Sequence, residues 1–125
     1  GRTMEVFWNT NNPLLRNFCT DIVTARFEPK VIISYERRAY IEEITNVRIT
    51  FDNNISASDE IEKFLQGDYL KIPVLEENRH VLEVKFDEVL PSYIKRALQV
   101  EPLCQQAFSK YHVGRTTIQS NRKHI

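Results

Sequence analysis

A chain of 125 residues with 42% hydrophobic side chains has the size and composition of one globular domain, large enough to bury a core without help from a metal or a disulfide. Its 17 basic and 17 acidic residues cancel, which removes any global argument for a nucleic-acid or anionic-membrane partner. Cys19 and Cys104 are too few and too far apart for a disulfide framework or a zinc knuckle and read as free thiols in a reducing cytoplasm, and no apolar run approaches the ~20 residues of a membrane span.

Along the chain, Gly1, Arg2 and Thr3 read as an appended remnant ahead of Met4, with no signal-peptide pattern. The first start signal is Asn11-Asn12-Pro13, where Asn12 can cap a helix and Pro13 take its first position. Leu14, Phe18 and Ile22, flanked by Leu15, Cys19 and Val23, form one apolar stripe, so a helix is predicted to end near Phe27 before Pro29. The β-branched and aromatic run from Lys30 to Ile41 predicts a strand, and Thr45 to Asp52 its hairpin partner, closed by the turn residues Asp52-Asn53-Asn54. Ser58 is placed to cap a short helix through Leu65, with Asp59 and Glu60 in its first turn and Gly67 past its end. Tyr69 to Leu75 and Val81 to Phe86 predict a second hairpin around Glu76-Glu77-Asn78. A helix is predicted over Leu90, Ile94, Ala97 and Leu98, with Pro91 in its first turn. Residues 105–113 fit helix or strand equally, and the polar residues 116–125 read as a flexible tail.

Side chains alternate across a strand, so parity sorts the faces. Val47, Ile49 and Phe51 share one face; Arg48, Thr50 and Asp52 share the other. Leu82, Val84 and Phe86 oppose Glu83, Lys85 and Asp87. Arg37 falls with Val31, Ile33, Tyr35 and Ala39, whereas Arg38 falls with Lys30, Ser34 and Glu36. Parity alone favours plain solvent for the polar faces, as on any one-sided antiparallel sheet. The other reading is a concave, wet interior in which Arg and Lys bind phosphate oxygens and a carboxylate such as Glu83 holds a divalent cation. Arg37 is the more informative residue, because a charge among aliphatic positions needs a partner.

Other candidates carry less. His80, His112 and His124 lie too far apart for a helical metal pair, and the three glycines, Gly1, Gly67 and Gly114, cannot make a glycine-rich phosphate loop. Ser109 beside Lys110 lacks the base and orienting group a nucleophile needs. Arg115, Arg122 and Lys123 read as a solvated tail, and Phe7, Trp8 and the tyrosines as packing residues rather than a base-stacking platform.

Three stretches together resemble the VTC polyphosphate polymerase family. They are Tyr35 to Tyr40 (YERRAY) followed by Asn46 to Asp52 (NVRITFD), Ile72 to Glu76 (IPVLE) followed by Val81 to Pro91 (VLEVKFDEVLP), and the closing Gln105 to Tyr111 (QQAFSKY). The order and spacing of these blocks match the family over most of residues 29–115, and the chain is most similar to its stand-alone bacterial members. The resemblance implies a CYTH-like triphosphate tunnel metalloenzyme: an α+β chain whose antiparallel β-sheet forms half of a triphosphate-tunnel β-barrel with flanking helices, the single domain 1–125 corresponding to the family's C-terminal half. It further implies that Arg37, Arg48, Lys85, Ser109 and Lys110 bind phosphate and that Glu83 binds the metal, Mn²⁺ or Mg²⁺. The implied activity is transfer of phosphoryl groups from ATP to a growing polyphosphate chain. The alternative is a non-catalytic module for polyphosphate, triphosphate or inorganic phosphate. Neither a nucleic acid nor a membrane is implied as partner, and a homodimer is one way to complete the barrel.

Overall fold

The computed structural model describes residues 9–99, 103 and 105–124, so Phe7, Trp8 and Cys104 lie outside the described residues. The chain divides into two units, Gly1–Lys30 and Val31–Ile125.

The first unit contains α1, Pro13–Ala25. Asn12 caps it as expected: its side-chain oxygen accepts the Leu14 N–H at 2.9 Å, which satisfies one orphan donor of the first turn, and Pro13 follows at the position where a missing N–H costs nothing. Arg26 ends the helix in the left-handed conformation at φ 54°. Only Cys19 is buried; Leu14, Phe18 and Val23 of the stripe remain exposed.

The second unit is built on β1 (Ile32–Glu42) and β2 (Val47–Ser58), which pair antiparallel from Glu42↔Val47 to Ile32↔Ser58. Their connection is set by Glu42, whose carboxylate accepts the N–H groups of Ile44 at 3.2 Å and Thr45 at 2.7 Å, and by Asn46, which takes φ 51°. β2 does not stop at Asp52-Asn53-Asn54. The register shifts between Ser34↔Ser56 and Glu36↔Asn53, so β2 carries one extra residue there, and Asn54 sits at φ 51°. The turn chemistry read from the sequence makes a bulge inside a 12-residue strand, because a left-handed Asn serves either purpose.

β3 (Ile72–Pro73) and β4 (Val81–Lys85) do not form a hairpin with each other. Both pair antiparallel with β2, on the edge opposite β1: β3 at Ser56↔Pro73 and Ala57↔Ile72, β4 from Asp52↔Val81 to Arg48↔Lys85. The predicted turn exists, with the Arg79 N–H on Glu76 O at 3.1 Å and Asn78 at φ 65°. Its arms lie end to end along the long β2, which has room for both. The sheet is therefore open, and the barrel half implied by the resemblance is not closed among the described residues.

A 3-10 helix, Ile61–Gln66, follows β2; Ser58 Oγ accepts the Glu60 N–H at 3.2 Å, and Gly67 ends the turn at φ 74°. The short α2, Ser92–Ala97, starts directly after Pro91 and buries Ile94. The last element corrects the expected flexible tail: α3 spans Lys110–Lys123. Ser109 caps it by accepting the His112 N–H at 3.2 Å, and Gly114 and Ile118, one turn apart, are its buried residues. A Cβ placed on Gly114 would stand 2.3 Å from Ile33 Cδ1 and 3.4 Å from Ala57 Cβ, so glycine is what allows this close approach to β1 and β2. Arg122 Nε donates to Asp59 Oδ2 at 3.0 Å and ties the helix's far end to the segment after β2.

Candidate functional site

The strand pairing assigns faces without reference to any ligand. Arg37, Ala39 and Ile41 of β1 oppose Asp52, Thr50 and Arg48 of β2, which in turn oppose Val81, Glu83 and Lys85 of β4. Directly opposed residues project to the same side of a sheet, so Arg37, Arg48, Asp52, Glu83 and Lys85 share one face. Arg38, Tyr40, Ile49 and Phe51 take the other, where Tyr40 and Phe51 meet edge to face at 6.0 Å with both rings partly exposed.

Plain solvent does not describe the middle of the charged face. Asp52 is 0% exposed and Thr50 4%, whereas Phe51 between them is 42% exposed. The buried Asp52 is held by two cations. Arg37 grips it as a fork, Nε on Oδ1 at 2.7 Å and Nη2 on Oδ2 at 2.8 Å. Lys110 Nζ, from the first residue of α3, reaches Oδ2 at 2.6 Å. The Tyr35 ring lies under both cations, 5.0 Å from the Arg37 guanidinium carbon and 5.0 Å from Lys110 Nζ. The Arg37 hydrogen bonds outweigh the burial that opposes ionisation and, with the Lys110 contact, hold the Asp52 carboxyl down to about 2. Arg37 is raised in turn, chiefly by its hydrogen bonds to Asp52, with Glu83 adding electrostatically. Two cations on one anion leave the cluster with a net positive charge.

Farther along the same face, Arg48 stands directly across from Lys85 and makes no hydrogen bond or ion pair with a described residue. Lys85 Nζ lies 3.2 Å from Glu83 Oε1, the lysine being largely open to water and the glutamate half-buried. Arg48 and Lys85 also line a recess of about 480 Å³ together with Asn46, Val84, Phe86 and Asp87. Arg37 and Lys110 do not line it. Thr50, between Arg48 and Asp52 and across from Glu83, has a buried hydroxyl with no hydrogen-bond partner. Its same-face neighbours are Arg48 and Asp52 along the strand and Ala39 and Glu83 across it.

The structure thus brings Arg37 and Lys110 together on Asp52 and puts Arg48, Glu83 and Lys85 on the same face. Ser109 adjoins Lys110, and its oxygen accepts the helix-capping hydrogen bond from His112, which engages a lone pair and not the O–H donor. Among the described residues, no three His, Cys, Asp or Glu side chains lie close enough to hold a metal ion. The single carboxylate of Glu83 makes no protein cage, yet it fits a hard cation held mainly by water and phosphate oxygens, which takes one or two carboxylates from the protein. Asp52 and Tyr35 were missed as site residues. The signal for Asp52 was the unanswered charge of Arg37, which required an anion on the facing strand.

No helix among the described residues is long and apolar enough to cross a membrane. Searches of curated proteins and of solved structures returned no match. The VTC domain profile matches residues 3–119. With nearly its whole length covered, and its charged blocks gathered on one sheet face, the chain belongs to the VTC domain family, whose function is related to polyphosphate polymerisation.

Proposed function

We propose that the charged face binds a polyphosphate or nucleoside triphosphate chain and serves phosphoryl transfer from ATP to growing polyphosphate. The observation that carries the reading is the triad in which buried Asp52 presents Arg37 and Lys110 on the face that also bears Arg48. Phosphoryl transfer asks little covalent chemistry of a protein; it asks that the reacting phosphates be held in line and that charge on the transferring group be neutralised. Arg37 offers a planar fork of N–H donors, Lys110 a compact point charge, and Arg48 a second guanidinium that makes no ion pair with a described residue. The terminal phosphate of the chain is the acceptor, so no protein nucleophile is required. Glu83 is the residue that would hold Mn²⁺ or Mg²⁺, an ion that supplies further neutralisation between neighbouring phosphates.

A second reading, binding without turnover, is favoured by the open sheet. A homodimer that closes the open sheet would reconcile the two.

Calorimetric titration with tripolyphosphate, with and without Mn²⁺, tests the common core. The face assignment predicts that Arg48→Ala weakens binding about tenfold, a loss of one charge-assisted contact. Arg38→Ala, on the opposite face, leaves it unchanged. Equal effects of the two substitutions would reject a face-specific site. Growth of polyphosphate from ATP then separates the catalytic reading from simple binding.

A further inference from the structure

Asp52 is an unusual member of a site meant for anions. It is the only described charged residue with a fully buried side chain, and it lies beneath cations that are themselves open, Arg37 at 39% and Lys110 at 20% side-chain exposure. As a stabilising device the arrangement is poor, since a buried ion cluster often gives no more stability than well-packed apolar side chains of similar volume. As a device for fixing two cations it is well made. The fork from Arg37 sets the plane of the guanidinium, and the Lys110 contact shares one of the oxygens that the fork uses. The Tyr35 ring stands equidistant from both. Lys110 itself starts a helix held by the Ser109 cap and by the close seat of Gly114 on Ile33 and Ala57. Arg37 and Lys110, 73 positions apart in the chain, are thereby locked side by side.

We propose that Asp52 is a positioning residue for anion binding: from beneath the sheet face it holds the Arg37 guanidinium and the Lys110 ammonium as a preset pair, so that their remaining N–H groups take neighbouring oxygens of one phosphate chain. The proposal rests on the phosphate-binding reading above. Its content is that the acidic residue favours the binding of an acid. Two effects of removing it oppose each other. Asp52→Asn adds one unit of positive charge to the face, which by long-range attraction alone tightens binding of any polyanion. It also removes the anchor that orders both cations, so their freedom must be lost on binding instead. Positioning predicts that the second effect wins, and that it wins more for a chain that spans both cations than for a single phosphate.

The test is titration of the full chain and of Asp52→Asn with tripolyphosphate and, separately, with inorganic phosphate. The expected result is a loss of about tenfold or more for tripolyphosphate and a smaller loss for inorganic phosphate, with melting curves showing the variant folded. Equal or tighter tripolyphosphate binding by the folded variant overturns the positioning role while leaving the binding reading intact. Failure of the unsubstituted chain to bind tripolyphosphate defeats the binding reading itself, and the positioning role with it. Should Asp52→Asn not fold, the unsubstituted chain decides: the Arg37 Nε–H resonance is expected to stay protected and sharp from the free to the saturated state. Release of that proton to rapid solvent exchange at saturation, as phosphate displaces the carboxylate, overturns the proposal.

Discussion

Substitution of Gly114 by alanine sets two effects of similar size against each other. Alanine is favoured over glycine in a helix interior by about 1 kcal/mol. Against this, the new methyl would lie 2.3 Å from Ile33 Cδ1, a distance no pair of carbons sustains, and 3.4 Å from Ala57 Cβ. Ile33 is half-buried and its δ-methyl is the end of a rotatable side chain, so it can turn away at an off-rotamer cost of about 1 kcal/mol. The Ala57 contact is an ordinary one, so displacement of Ile33 is the whole of the cost, and overpacking of this kind totals about 1–3 kcal/mol, rotamer change included. The net expectation is a loss of about 1 kcal/mol, or a fall of roughly 4–8 °C in Tm for a unit of this size. The cause is checked by a double-mutant cycle with Ile33→Val, which deletes Cδ1. In that background Gly114→Ala should become neutral or stabilising by up to about 1 kcal/mol. If Gly114→Ala stabilises the unsubstituted chain, or if Ile33→Val brings no relief, the helix does not sit on β1 and β2 as described.

Three further outcomes follow from the same geometry. Asp52 is held down to about 2 against an ordinary 3.8, so it contributes stability that is complete above about pH 4 and lost as the pH falls through about 2. Acid titration of unfolding should show that loss, and Asp52→Asn should lack it, while Glu42 and Glu60, both lowered by their hydrogen bonds, keep a smaller acid-side slope in either protein. At the bulge, Asn54→Gly should change the urea midpoint little, whereas Asn54→Val should cost about 1–2 kcal/mol, because a β-branched residue resists the left-handed conformation. If Glu83 holds the metal as proposed, Glu83→Gln should leave metal-free tripolyphosphate binding unchanged or slightly tighter and abolish any affinity that Mn²⁺ adds; an undiminished Mn²⁺ effect in calorimetry would reject that role.

Elements announced by a cap or a dense β-branched run were legible in the sequence. Asn12-Pro13 marked the start of α1, and the Val, Ile and Tyr content of residues 30–41 marked β1. Elsewhere, local chemistry fitted two structures and tertiary pairing chose between them. Asn54 reads as a turn residue and forms a bulge; Glu76-Glu77-Asn78 reads as a hairpin turn and joins strands that pair with β2. α3 was hidden because it needs only Gly114 and Ile118 buried, too thin a stripe to stand out among polar residues. The Arg37–Asp52 pair was within reach. Strand limits at Ile41 and Thr45 place Arg37 across from Ile49; the true limits, Glu42 and Val47, place it across from Asp52. Because side chains alternate, moving the turn by this odd step reverses which face of β2 meets Arg37. Lys110 could not be derived this way, since its partner depends on where a helix lands on the sheet.

The bulge makes one helix able to serve two surfaces. Ala57, on which Gly114 rests, and Asp52, which Lys110 reaches, are separated by an odd number of positions along β2. In a regular strand they would project to opposite faces, and no single helix could touch both. The extra residue at Asn54 shifts the phase, so Ala57 opposite Ile33 and Asp52 opposite Arg37 come to the same side, as Ile33 and Arg37 already do on unbulged β1. α3 can then pack on the small apolar surface beyond the bulge while its first residue delivers an ammonium to the carboxylate before it. The left-handed conformation of one asparagine is therefore a condition of the cationic pair, although Asn54 is exposed and touches neither cation.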